Sequence, residues 1–327
     1  MAGLVQTTLA HRAEVDDRNN AMTLDLARGW FAVEERLEPI IAALAYEQTQ
    51  ARAQGRPVKA STIAQSERYQ TLLATMRAEF SRYETEWAIG RIDDLQRQLA
   101  TIGGQQANVL LAATGLDSSV FGTFDFLSFE SIINAAREGQ PLMAILDKGY
   151  DLAAASIADR LIAGVALGIN PRALAAGMVK DGLSQGLNHV LLVSRDQGIR
   201  AWRSASQARY QQAGIRQYRR TAARQARTCI ACLALDGTIH DSSEIFPNHP
   251  QCRCTMIPLV EGGTPPALAP AGEWLANQTP AQQKAILGPG RYEEYKAGRP
   301  LGDMVGYKTD PTWGKGTRIK PLGKPAS

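Results

Sequence analysis

The chain has 327 residues, with 36 basic against 32 acidic side chains and 44% hydrophobic residues. This ordinary globular usage excludes wholesale disorder, and a chain of this length buries a core without staples and divides into about two domains. A net charge of +4 is too mild to mark a nucleic-acid binder by itself, and 6% aromatics with long Ala-, Leu-, Gln- and Arg-rich stretches favour helix over an all-β design.

Residues 1–20 read as a loose, polar N-terminus. From Thr23, the positions Leu26, Trp30, Val33, Leu37, Ile41 and Leu44 recur at helical spacing, with Pro39 expected to kink or interrupt the helix. Gly55-Arg56-Pro57 marks a break. Thr62 and Gln65 form a capping box for a second helix carrying Tyr69, Leu72, Met76, Phe80, Tyr83, Trp87, Ile92, Leu95 and Leu99. Gly103-Gly104 is expected to stop it after about 60 Å at 1.5 Å per residue. Residues 105–127 read as loop. Ser128 suits the cap of a short helix ending near Gly139, and Pro141 suits the first turn of a helix closing at Gly168. Asn170-Pro171 repeats the cap-then-proline pattern and opens a helical stretch running to about Tyr210.

The texture changes after Gly214. Ile215 to Thr221 fits a strand or a further helix. Asp236-Gly237, between Leu235 and Ile239, reads as a hairpin turn. Cys252, Cys254 and Met256 alternate with polar residues as on a strand. A linker follows over 261–271, then a small helical segment over 272–305 in which Thr279 and Gln282 form a capping box. The last stretch, 306–327, reads as a basic flexible tail. The expected fold is mainly α: a helical region over 21–213, then a small α+β domain whose Cys-rich, metal-binding knob spans 214–260.

His11, Arg12, Glu14, Asp16 and Asp17 interrupt the place of a secretory apolar core. The most apolar stretch, Leu161 to Met178, is broken by Asn170, Pro171 and Arg172, so no membrane span is expected. The expectation is a cytosolic environment in which cysteines stay reduced unless a metal holds them.

All four cysteines lie within 26 positions: Cys229, Cys232, Cys252 and Cys254. Cys229 and Cys232 share one turn. His249 precedes Cys252 by three residues, and His240 lies between the pairs. Zinc takes four N or S ligands in a tetrahedron. The first choice of ligands is the four cysteines; the runner-up puts His249 in place of Cys252 or Cys254. Loop closure costs a few kcal/mol against roughly 10–16 kcal/mol from a structural zinc. A site closed by protein ligands is structural rather than catalytic. The competing readings are disulfides between the pairs, a redox CxxC, four inert thiols, or a Cys232 nucleophile served by His240 or His249.

Nine arginines crowd residues 195–227, with Asp196 as the only acid. A solvated face is the plain reading. The functional one assigns Arg216, Arg219, Arg220, Arg224 and Arg227 to an acidic partner surface or to DNA phosphates. Enzyme motifs are expected to be missing: no P-loop, no G-x-S-x-G elbow and no HExxH.

Arg227-Thr228-Cys229-Ile230-Ala231-Cys232, Leu235-Asp236-Gly237 and His249-Pro250-Gln251-Cys252-Arg253-Cys254 together resemble the signature of phage head morphogenesis proteins of the Mu F type, the minor head or minor capsid proteins. Trp274-Leu275, Gln278, Gln282-Gln283, Ile286-Leu287-Gly288 and Arg291 resemble the segment that follows it. The likeness spans about Ser194 to Val305; earlier residues share only helical character and the Gly168-Ile169-Asn170-Pro171 junction. Where many members carry Arg-Thr-Glu, this chain reads Ser194-Arg195-Asp196-Gln197, with a shorter carboxylate in a shifted context. The resemblance implies a non-enzymatic protein present in a few copies in the virion head and assembled in the host cytoplasm. Its implied partners are the portal protein and major capsid or scaffold proteins, with packaged DNA as a further contact, and neither a membrane nor a small-molecule substrate. The competing functions are a zinc-stapled nucleic-acid-binding protein and a His-metal type nuclease.

Overall fold

The computed structural model describes residues 2–56, 59–117, 126–224, 228–261 and 271–322. The chain is mainly helical. Helices α1 (Ala2–Ala53), α2 (Ala60–Ala64), α3 (Glu67–Tyr83), α4 (Ile89–Ala113), α5 (Phe126–Ala136), α6 (Leu142–Leu146), α7 (Lys148–Leu167), α8 (Pro171–Gly177) and α9 (Ser184–Gln212) come first. Strand β1 (Gln217–Thr221), helix α10 (Ile230–Ala234) and strands β2 (Ile239–Asp241) and β3 (Thr255–Leu259) form the knob. Helices α11 (Ala271–Ala276), α12 (Pro280–Leu287) and α13 (Pro289–Lys296) and strands β4 (Val305–Asp310) and β5 (Gly314–Ile319) complete it. No described helix is long and apolar enough to cross a membrane.

Two compact units form, each assembled from separate stretches. One comprises 19–94 and 140–195; the other 1–18, 95–139 and 196–327. In the first, Trp30 meets Phe80 and Tyr83 edge-on, with centroids 4.9 and 5.1 Å apart. Tyr83 Oη donates to the Leu26 carbonyl at 2.8 Å, giving the buried phenol a partner. His189 is buried, as a core residue should be, with Nε2 2.7 Å from the Ile145 carbonyl.

The second unit is built around the C-terminal half of α9. Every residue from Asp196 to Tyr210 is buried except Ser204 and Ala208, which are half-buried. A helix enclosed on all sides needs small residues where neighbours approach, and Ala201 and Ala205 pack against Ala100, Ile132 and Ala136. Beside α9 lies the antiparallel sheet in the order β2-β1-β3, with Tyr218 opposite His240 and Pro258, and Arg220 opposite Met256. Its core joins Ala107, Leu111, Tyr210, Tyr218, Phe246 and Met256 to three of the cysteines. On α10, Ile230 and Leu233 join Leu275, Leu287 and Met304 in a smaller cluster.

Several expectations hold. Gly168 ends α7 with φ +73°, Asn170 Oδ1 accepts from Arg172 N at 2.9 Å, and Thr279 with Gln282 makes the capping box. Ile215 to Thr221 resolves in favour of a strand. Others are corrected. Residues 2–20 are helical, not loose; Val5, Thr8, Arg12 and Val15 bury one stripe, and the polar members disguise it. Helix α1 runs through Pro39, so that residue does not interrupt it. The capping residue before α3 is Ser66, which accepts from Tyr69 N, rather than Thr62. The residue at the cap before α5 is not Ser128, because that helix already begins at Phe126.

Gly103-Gly104 does not stop α4, which continues to Ala113. A Cβ on Gly103 would stand 2.3 Å from the Trp202 carbonyl oxygen, so this glycine serves the close approach of α4 to α9. The Asp236-Gly237 turn joins α10 to β2 instead of linking two strands. Cys252 and Cys254 precede β3 rather than lying on it. The expected linker lies outside the described residues over 262–270.

Residues 305–319, placed almost wholly in the expected tail, form a hairpin in register from Val305 and Ile319 to Asp310 and Gly314. Asp310 Oδ1 accepts from Thr312 N and Trp313 N at 3.0 and 3.2 Å, an Asx-type turn that the basic composition hid. Thr317 N donates to the Asn248 carbonyl at 2.7 Å. Gly316 permits this, since a Cβ there would meet that carbonyl at 2.5 Å.

Candidate metal centre

Cys229 caps the short helix α10, and its Sγ accepts from Cys232 N at 3.4 Å. The CxxC spacing therefore turns both sulfurs to one side. The other donors come from a tight turn in which Cys252 N donates to the His249 carbonyl at 3.0 Å. Gln251, with φ +65°, bends the backbone there. His249 Nδ1 lies 2.8 Å from the Pro250 carbonyl, leaving Nε2 toward the sulfurs.

Two overlapping groups result: Cys229, Cys232 and His249, and Cys232, Cys252 and Cys254, with ligand atoms within 4.8 Å of one another in each. His249 Nε2 is 3.2 Å from Cys229 Sγ and 3.3 Å from Cys232 Sγ; Cys232 Sγ is 3.7 Å from Cys252 Sγ. A tetrahedron with 2.3 Å metal–sulfur bonds has sulfur–sulfur edges of about 3.8 Å, and nitrogen–sulfur edges slightly shorter. The donors fit a metal ion. All four cysteines are free thiols, so the disulfide reading does not hold.

The donors carry opposed charge tendencies. Hydrogen bonding from Cys232, then the neighbouring His249, draws Cys229 down to about 4. Burial opposes charge on His249, but hydrogen bonds to Cys229 and Cys252 raise it to about 10. Burial pushes Cys254 up to about 12. The protein thus stabilises thiolate in a buried place, and Cys229, Cys232, Cys252 and His249 would offer a metal ion thiolate sulfur and an imidazole nitrogen there.

His240 lies elsewhere: its Nε2 is 2.8 Å from Thr238 Oγ1 and its ring stacks on Tyr218 at 5.5 Å. The arginines also divide. Arg216 is exposed and Arg219 half-buried. Arg224 pairs with buried Asp236 at 2.7 Å. Arg220 is fully buried and donates to the Pro247 carbonyl at 2.6 Å, which corrects its expected role as a surface contact. Arg227 lies outside the described residues.

Sequence reasoning missed the layer behind the sulfurs. Arg203, buried on α9, donates to the Cys252 carbonyl at 3.2 Å and to Asn248 Oδ1 at 3.0 Å. Asn248 Nδ2 donates in turn to Asp196 Oδ1 at 3.0 Å, while Asp196 Oδ2 accepts from Arg200 Nε at 2.7 Å. The spacing Asp196, Arg200, Arg203 was the available signal, because these residues share one helix face. The string Gly182-Leu183-Ser184-Gln185-Gly186 does spell G-x-S-x-G. It is helical throughout, whereas a nucleophile elbow needs a strand-to-helix turn.

Residues 155–257 match the family described as Phage Mu protein F like protein. The matched stretch includes Cys229, Cys232, His249, Cys252 and Cys254. No curated protein matches the chain. No solved structure matches it.

Proposed function

We propose that this chain is a non-enzymatic minor head protein acting in phage head morphogenesis, associated with the portal during procapsid assembly or genome packaging and delivery. The match to the Mu F-like family over 155–257 carries this reading. It encloses the whole cysteine–histidine cluster, and the family is a structural one. Partner docking falls to the helical region: Leu24, Phe31 and Tyr46 are exposed large apolar residues along one side of α1.

The cluster is proposed to hold one structural zinc ion through Cys229, Cys232, His249 and Cys252. Cys252 is preferred because its sulfur lies 3.7 Å from Cys232 and hydrogen-bonds His249, whereas the Cys254 sulfur hydrogen-bonds Cys232 and Cys252. Bound there, the ion would tie the α10 turn to the lead-in of β3.

Purified heads from cells producing or lacking the chain test the head assignment. The expected result is a few copies per particle, with defective heads in its absence. Particles that never contain it and assemble normally without it would overturn the reading.

A further inference from the structure

Arg203 and Arg220 are 2% and 0% exposed, and among the described residues neither lies within ion-pair distance of a carboxylate. Asp196 is engaged by Arg200 and Asn248. A buried charge without an opposite charge costs several kcal/mol. Both guanidinium groups instead converge on one sulfur: Arg203 Nη2 is 3.4 Å and Arg220 Nη2 3.7 Å from Cys252 Sγ. Both also lie over the Phe246 ring, at 4.4 and 4.6 Å, which fixes their planes and excludes water.

We propose that Arg203 and Arg220 are the built-in counter-charges of the thiolate centre, positioning residues that set its affinity for a divalent metal through Cys252 while binding no metal themselves. The inference rests on the metal-centre reading. A divalent ion with three thiolates and a neutral imidazole carries one net negative charge in a dry interior. Each thiolate withdrawn from water then needs donors, and N–H groups of a cation are the strongest available. The assignment also explains why these two arginines of the matched stretch are buried instead of facing a partner.

The test uses the full chain with zinc and cobalt(II) as probes, comparing Arg203→Met, Arg220→Met, Arg203→Lys and Arg220→Lys. Each Met variant should bind about 10–100-fold more weakly, while each Lys variant stays within tenfold of the unaltered protein. The cobalt d–d bands should stay in place because the ligands are unchanged. The sulfur-to-cobalt charge-transfer band should move to longer wavelength in the Met variants, since loss of donors raises the sulfur lone pairs in energy. Met and Lys variants that bind equally, tightly or weakly, would overturn the proposal. Where a Met variant does not fold, the Lys variant decides: retention within tenfold supports it, and loss of metal overturns it. An unaltered chain that takes up no metal refutes the metal centre itself.

Discussion

His249 presents Nε2 to Cys229 Sγ at 3.2 Å although the two residues stand twenty positions apart in the chain. That contact joins the two halves of the cysteine motif, and it places the histidine inside the cluster instead of beside it.

One metal ion per chain is therefore expected by elemental analysis. Cys229→Ser, His249→Ala and Cys252→Ser should each abolish stoichiometric binding, whereas Cys254→Ser should retain it. Chelation should lower the melting temperature of the unaltered protein, because an ion that binds only the folded chain stabilises it by mass action. Affinity should fall with acid, since protons compete for the same sulfurs and imidazole. Stoichiometric binding by Cys252→Ser together with loss in Cys254→Ser would reverse the ligand assignment.

Glycines within one helix should respond oppositely to alanine. Gly103→Ala forces a methyl into the Trp202 carbonyl and should cost about 1–3 kcal/mol. A Cβ added at Gly90 would have nothing within 4 Å, so Gly90→Ala should stabilise by about 0.5–1 kcal/mol. Chemical denaturation of both variants decides the matter.

Glu84 is almost fully buried in the π-helical turn Glu84–Ala88, with Oε1 unpartnered among the described residues. Burial raises it to about 7 from 4.5; Asp147 adds to this and Arg77 opposes it. Between those values the folded chain keeps a proton that the unfolded chain has lost. Its contribution is thus complete below the unfolded value and disappears as pH rises through 7. Glu84→Gln should gain on the order of 2–3 kcal/mol relative to the unaltered protein at pH 8 and little at pH 4. A difference independent of pH would show that folding leaves the titration of Glu84 unshifted.

Of the described arginines expected to meet a partner or DNA, only Arg216 is exposed. Any DNA binding should consequently show a shallow salt dependence, equivalent to about one or two phosphates. A slope of five or more would restore the nucleic-acid reading.

Much of the helical region was legible because Leu26, Trp30, Leu37 and Leu44 keep an apolar helical period. The first turns of α1 were not, since Thr8 and Arg12 occupy interior positions in the same stripe. The cysteine pairs and His249 announced a cluster through spacing alone. What lay behind them did not, because an arginine's burial depends on which residues fold around it. Only the enclosure of α9 turns Arg203 inward, and only the sheet register places Arg220 opposite Met256 beside the sulfurs. Gly103 misled for a related reason: one residue type serves both helix termination and close helix contact.

The pairing of Thr317 N with the Asn248 carbonyl carries a consequence for biosynthesis. All five donors leave the ribosome before the hairpin does, so a nascent chain can gather its sulfurs early. The peptide next to His249 still gains its last partner only after Thr317 has been synthesised. Synthesis past Thr317 thereby becomes a condition for the finished binding platform, and products cut before it would carry the cluster without that final lock.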